Sequence, residues 1–233
     1  MEWAVFAKPN RHLSVDSPAN LAMARIRKIL RDPTPNRNYF LIDANVLARK
    51  HIPAKLIPVG PDRDRVAACH EWWKEIDAQL NSGCARVYIP DVCIAEAFKV
   101  LASWYYVSKW FKTPVSLKTA RDRLSKDIRT DSKALRTTFR PVRYHDISTN
   151  RDIIISVDRF FETFMKHRKN CSVPDLIIAA TAKYLREFYD IPREFLHIVT
   201  MDRALREGIA KVPELPKAYD PSLAQHAAKR IFA

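Results

Sequence analysis

The stretch NYFLIDANVLARK, residues 38–50, decides how this chain folds. Tyr39, Phe40, Leu41 and Ile42 run together without polar alternation, as a parallel-sheet strand does when it is covered on both faces. The run ends on Asp43, and an ionised carboxylate at the end of such a strand needs a physical reason. A short helix is predicted over 44–50.

Working outward, residues 1–37 form a basic lead-in. NLAMARIRKIL has helical spacing and RDPTPN breaks it, so the lead-in reads as a short helix packed on the domain or a mobile arm. After residue 50, HIPAKLIPVGPDRD carries three prolines and a glycine and reads as a loop. DRVAACHEWWKEIDAQL, 64–80, sets Val66, Cys69, Trp73, Ile76 and Leu80 on one helical face, and ARVYIP, 85–90, is a second strand. A helix follows from Val92 to about Phe111, with Ile94, Phe98, Leu101 and Tyr105 as its apolar stripe.

A charged stretch comes next, and VRYHDI reads as a short strand. Thr149 and Asp152 have capping spacing for a helix to about His167, and Ser172 with Asp175 repeats it, with Pro174 in the first turn. FLHIVT, 195–200, is the last clear strand, and it too runs into an acid, Asp202. Strands alternating with helices predict an α/β chain with a mainly parallel sheet covered on both faces, its sites gathered beyond the carboxyl ends of the strands.

Composition narrows the function classes. The chain has 233 residues, 47% of them hydrophobic, with 40 Lys and Arg against 26 Asp and Glu, a net charge of +14. That excess suits a polyanionic partner, nucleic acid first. Only Gly60, Gly83 and Gly208 occur, so neither dinucleotide-binding nor phosphate-loop glycine signatures are present. Cys69, Cys84, Cys93 and Cys171 are dispersed and read as free buried thiols rather than a zinc site. No membrane-spanning run is present, and MEWAVFAKPN lacks a signal-peptide core, so a cytoplasmic protein is expected.

Three acids share one structural address. Asp43 ends the first strand, Glu96 lies in the helix after the second, and Asp202 sits just past the last. Asp175, at a helix start, joins them. Each also has a plainer role: Asp43 and Asp175 as helix caps, Glu96 as a solvated helix residue, Asp202 as a turn former. As a set, four gathered carboxylates repel one another unless a hard divalent cation neutralises them. Metal-assisted hydrolysis of a phosphodiester suits both the acids and the basic charge.

The motifs LIDANVLA, IPDVCIAEAF, VPDLIIAATAKYL and IVTMDRAL, in this order over residues 39–210, resemble those of the PIN-domain nucleases, a family that includes toxins of toxin–antitoxin pairs and RNA-processing enzymes. The resemblance implies a three-layer α/β/α domain over 38–220, with an N-terminal extension, a basic helical insertion at about 112–145 and a tail over 221–233. It implies Mg2+- or Mn2+-dependent endoribonuclease activity, with Asp43, Glu96, Asp175 and Asp202 as metal-binding acids. Asn45 and Thr200 match supporting polar positions, although a local turn or capping bond suits them equally. A homodimer is implied as well. An antitoxin-controlled toxin and a catalytically inactive RNA-binding scaffold are the alternatives. The intervals between the first three acids exceed those of the compact toxins, which favours a nuclease carrying its own substrate-positioning elements.

Those elements are basic. From Trp104 to His145, eleven Lys and Arg stand against three Asp. Lys109, Lys112, Lys118, Arg121, Arg123, Lys126, Arg129, Lys133 and Arg136 are the candidate RNA-backbone contacts. Trp104, Tyr105, Tyr106, Trp110 and Phe111 are read as core before stacking surface, and KHRK, 166–169, as a second basic patch or a helix-terminal charge.

Overall fold

The computed structural model describes residues 37–128, 144–167 and 169–223. In chain order the elements are β1 (Asn38–Ile42), α1 (Ala44–Lys50), a 3-10 turn (Ala54–Leu56), α2 (Pro61–Asn81), β2 (Ala85–Pro90), α3 (Asp91–Tyr106), α4 (Pro114–Ile128), β3 (Tyr144–Ile147), α5 (Arg151–Lys166), α6 (Val173–Phe188), β4 (Leu196–Val199), α7 (Arg203–Ile209) and β5 (Ala218–Tyr219). The predictions for the lead-in through residue 36, for 129–143 and for the tail from 224 lie outside the described residues.

The five strands form one parallel sheet in the order β3-β2-β1-β4-β5. β1 is central because after Asn38 its side chains are all buried and hydrophobic: Tyr39, Phe40, Leu41 and Ile42 are at most 2% exposed. Phe40 meets Trp72 of α2 edge-on at 5.7 Å on one face, and Tyr88 of β2 meets Tyr189, just past α6, at 6.3 Å on the other. The result is the three-layer α/β/α architecture that the PIN resemblance implies. The strand order reverses at β1, since the chain proceeds outward through β2 and β3 and returns to the other side for β4 and β5. In sheets of this kind the carboxyl ends of the strands on either side of such a reversal, here β1 and β4, are where ligands bind.

Helix boundaries follow local chemistry with instructive departures. The expected face of α2 is buried, Trp72 joins it, and the helix begins earlier, at Pro61, where proline suits a first turn. In α3 the buried stripe is Cys93, Ala97, Leu101 and Trp104. Ile94, Phe98 and Tyr105 stand half-buried on its flank, and the helix stops at Tyr106 rather than Phe111. The small Cys93 and Ala97 allow the close packing of α3 on α1, which larger side chains would hold off. At α5 the cap is Asn150, which accepts from the Ile153 N–H at 3.0 Å. Thr149 donates its N–H and hydroxyl to Asp91 instead.

The described part of the basic insertion is α4, docked through Leu117, Ala120 and Leu124. All four cysteines are free thiols, but only Cys69 and Cys93 are buried; Cys84 is exposed and Cys171 half-buried, because both lie in loops before an element rather than within one. Among the described residues, no helix is long and apolar enough to cross a membrane.

Candidate functional site

Asp43 follows β1 directly. Its N–H donates to the Val199 carbonyl at 3.0 Å, carrying the β1–β4 ladder one residue past Ile42. It occupies the N-cap position of α1, yet its side chain makes no cap bond there. Instead its Oδ2 accepts the Thr200 hydroxyl at 2.8 Å, within a site where Asp43 is 2% exposed and Thr200 fully buried. The same Thr200 Oγ1 accepts the Asp202 N–H at 3.0 Å. One hydroxyl therefore ties the end of β1 to the segment after β4.

The other acids use local bonds that leave part of each carboxylate unengaged. Ser172 and Asp175 form a capping box in which Oδ2 of Asp175 receives the Ser172 N–H at 2.8 Å and its hydroxyl at 2.6 Å. Asp202 caps α7 by accepting the Leu205 N–H on Oδ1 at 2.7 Å. The capping role read from sequence is thus real for Asp175 and not made by the Asp43 side chain, while Asp202, read as a turn former, is a helix cap; Asp175 and Asp202 each do this through one oxygen. Glu96, half-buried on α3, has no side-chain hydrogen bond among the described residues.

Electrostatics links the acids pairwise: Asp43 with Asp175 and Glu96, Glu96 with Asp175, and Asp175 weakly with Asp202. Burial, with the Asp175 and Glu96 charges adding to it, pushes the Asp43 carboxyl up to about 7 against the Thr200 and Ala44 hydrogen bonds that lower it. Glu96 is raised by burial and then by Asp175, and Asp175 by burial and, more weakly, by Asp202. Two thiols report the same field. Buried Cys93 is pushed well above the ordinary thiol value by desolvation, with Asp43, Glu96 and Asp175 adding; Cys171 rises to about 11 by burial, with Asp175 and Asp202 adding. Among the described residues, however, no three His, Cys, Asp or Glu side chains converge closely enough to hold a metal ion by themselves.

Of the supporting residues, Thr200 holds Asp43. Asn45 is half-buried, and its carbonyl accepts from Arg49 Nη1 at 3.2 Å. Arg49 went unnoticed in the sequence, although its spacing of four from Asn45 puts both on one side of α1. Replacing Thr200 by valine keeps the volume but orphans the Asp202 N–H and removes the bond that favours ionised Asp43. The expected loss is about 2 kcal/mol, read from the urea midpoint at pH 7.

Among the basic candidates, Lys109, Lys112, Lys118, Arg123 and Lys126 are exposed. Lys118 pairs with Asp122 at 2.6 Å in solvent, and Arg121 is half-buried. Arg129, Lys133 and Arg136 lie outside the described residues. Trp104 and Phe111 are core, Tyr105 and Trp110 half-buried, and Tyr106 exposed. In the KHRK stretch, Lys169 is ion-paired with Glu207.

No protein-family model and no curated protein matches the sequence. Among solved structures, FitAB bound to an IR36 DNA fragment aligns with a TM-score of 0.46 at 16% identity, over 81% of this chain and 99% of that one. VapBC2 from Rickettsia felis, bound to a DNA fragment from their promoter, gives 0.45 at 10% identity over 78% and 98%. FitAcB from Neisseria gonorrhoeae gives 0.41 at 17% over 78% and 97%.

Proposed function

We propose that this chain is a divalent-metal-dependent endoribonuclease that hydrolyses RNA phosphodiester bonds, with Asp43, Glu96, Asp175 and Asp202 holding Mg2+ or Mn2+. The observation that carries the reading is the buried Asp43, kept at the carboxyl end of the central strand within the electrostatic reach of Glu96 and Asp175. A carboxylate there is unfavourable by itself and becomes favourable beside a cation. The donor set fits a hard ion, and because such ions retain several waters, direct contact from one or two of the acids is sufficient. When bound, the cation lowers the pKa of a water and neutralises charge building on a phosphoryl oxygen.

The chain's own residues do the positioning. Thr200 fixes one oxygen of Asp43, Ser172 one oxygen of Asp175, and the Leu205 N–H one oxygen of Asp202, so the remaining oxygen of each has a set direction. Glu96, unbonded and half-buried, is the adjustable member. Asn45, on the first turn of α1, orients the attacking water or a carboxylate. Lys109, Lys112, Lys118, Arg121, Arg123 and Lys126, with Arg129, Lys133 and Arg136, hold the phosphate backbone by charge, with affinity that falls as salt rises.

The decisive measurement is cleavage of single-stranded and structured RNA by the full chain with Mg2+ or Mn2+, against a chelator control. Asp43→Asn and Asp202→Asn are each expected to lower the rate by more than about a hundredfold, since groups one step removed from a metal already cost roughly ten- to a hundredfold. Unchanged cutting in both variants removes the site assignment. The lack of three converged ligands among the described residues favours a second reading, a catalytically silent RNA-binding scaffold. Salt-dependent RNA binding by a wild type that cuts neither RNA nor DNA selects it. An antitoxin partner belongs to the toxin version of the nuclease reading. A small DNA-binding protein encoded beside this chain, able to suppress its cleavage of RNA, would establish that version.

A further inference from the structure

We propose that Arg49 is a phosphate-positioning residue, its guanidinium held against Trp104 so that its free N–H groups grip the RNA backbone beside the acidic centre. This rests on the nuclease reading and adds a cation to a site so far described by its acids.

Placement comes first. Arg49 lies on α1, whose N-cap is Asp43. Long side chains on a helix lean toward its N-terminus. Arg49 does so, donating Nη1 to the Asn45 carbonyl at 3.2 Å, which sets the guanidinium a turn back toward Asp43. The guanidinium carbon stands 5.4 Å from the centre of the Trp104 ring, and Trp104 in turn packs on Trp110 at 5.1 Å. Trp104 is 7% exposed, so the platform is fixed by the core. A stacked guanidinium has little freedom left to lose when it binds.

The group is also underused. Among the described residues no carboxylate comes within ion-pair distance of Arg49, and its buried Nε has no hydrogen-bond partner. A guanidinium carries five N–H donors, and the Asn45 carbonyl takes one. The neighbouring Lys50, by contrast, lies between Asp77 and Asp127, and Arg206 is paired with Asp220. Burial pushes the Arg49 guanidinium below its ordinary value, offset in part by Cys69, then Asp62 and, least of these, Asp43. A partly desolvated cation with spare donors and no paired anion calls for one from outside. The planar fork matches two phosphate oxygens at once, and a phosphate held there would lie on the helix whose N-cap is Asp43.

The test uses the full chain and a fluorescein-labelled, twelve-nucleotide single-stranded RNA. In chelator, log Kd is followed against log KCl. Arg49→Gln is expected to reduce the steepness by about 0.7, the share of one phosphate contact on a single strand, and to weaken binding about tenfold at low salt. Arg49→Lys keeps the charge and the salt slope but loses the fork, and its Mn2+-supported cleavage is expected to fall about tenfold with an unchanged melting temperature. A wild-type salt slope in Arg49→Gln, or wild-type cleavage in Arg49→Lys, overturns the proposal. If Arg49→Gln does not fold, Arg49→Lys decides alone through its cleavage rate. A wild type that binds this RNA but does not cut it refutes the nuclease reading and leaves the salt slopes to decide the contact. Failure of the wild type to bind the RNA refutes both.

Discussion

In chelator at pH 8, Asp43→Asn is expected to melt above the wild type by about 5 °C, and manganese to reverse the order. The sign follows from where Asp43 holds its proton. Its carboxyl is raised from the ordinary 3.8 to about 7 in the fold, so between those values the native state binds a proton that the unfolded chain has released. That stabilisation is complete below pH 4 and is lost as pH rises through 7. The loss by pH 8 is roughly 4 kcal/mol at about 1.4 kcal/mol per pH unit. Asparagine keeps the shape and an oxygen for the Thr200 hydroxyl but carries no charge to bury. Its amide N–H groups need partners that this site supplies incompletely, which offsets part of the gain, and about 2 kcal/mol remains. At pH 4 the advantage vanishes or inverts. On the proposed metal reading, manganese is expected to bind the native wild type and stabilise it by mass action, about 2.7 kcal/mol at a hundred times its Kd, whereas the variant lacks that anionic ligand. Urea midpoints from pH 4 to 8.5, with and without manganese, check both halves. An Asp43→Asn chain less stable than wild type at every pH in chelator would sink the electrostatic account.

The second large effect concerns a lysine outside the proposed acidic set. Lys50 ends α1, and its side chain, 15% exposed, reaches into a junction of four elements. Its ammonium bonds the Tyr144 hydroxyl on β3, stands 3.5 Å from Asp77 of α2 and 3.2 Å from Asp127 of α4, and lies 4.5 Å from the Trp73 ring centre. Lys50→Met preserves the stem but takes the cation from between two carboxylates and two rings. Breaking a fully buried pair costs about 3–5 kcal/mol; with both aspartates 31% exposed, solvent screens part of this, and about 2–3 kcal/mol is expected. The same variant should speed amide exchange across 114–128, because Asp127 anchors the end of α4. A urea midpoint and α4 exchange rates equal to those of wild type would show the junction to be incidental. His51, pushed down to about 4 chiefly by burial, is neutral beside Asp127 at pH 7 and does not substitute for the lysine.

What the sequence disclosed depended on how locally each feature is encoded. β1 and β2 were legible because each carries an unbroken run of apolar or aromatic residues, Tyr39 to Ile42 and Val87 to Ile89, and the Ser172–Asp175 box because its two partners are three residues apart. The cap of α5 was misplaced by one residue because Thr149 and Asn150 are both good caps, and Asp91, distant in the chain, claims the threonine. In α4 the core positions Leu117, Ala120 and Leu124 are outnumbered by charges, so the stretch read as an insertion before it read as a docked helix. β5, two residues long, falls below any periodicity. At the site, Asp43 stood out because a buried strand delivers it. That Thr200 would bind it, or that Arg49 would stack on Trp104, depends on side-chain partners that no single segment contains.

The Asp43–Thr200 bond joins residues 157 apart in the chain, across the strand that enters the sheet beside β1 after the chain turns back. During synthesis, at roughly 5–20 residues per second, Asp43 emerges roughly ten to thirty seconds before its partner exists. β1 and β2 can pair in that interval, but the hydroxyl that directs Asp43, and Asp202 with it, are still to be translated. On the proposed nuclease reading, a nascent chain is therefore chemically idle while it is surrounded by ribosomal and messenger RNA, and any competence dates from the arrival of β4.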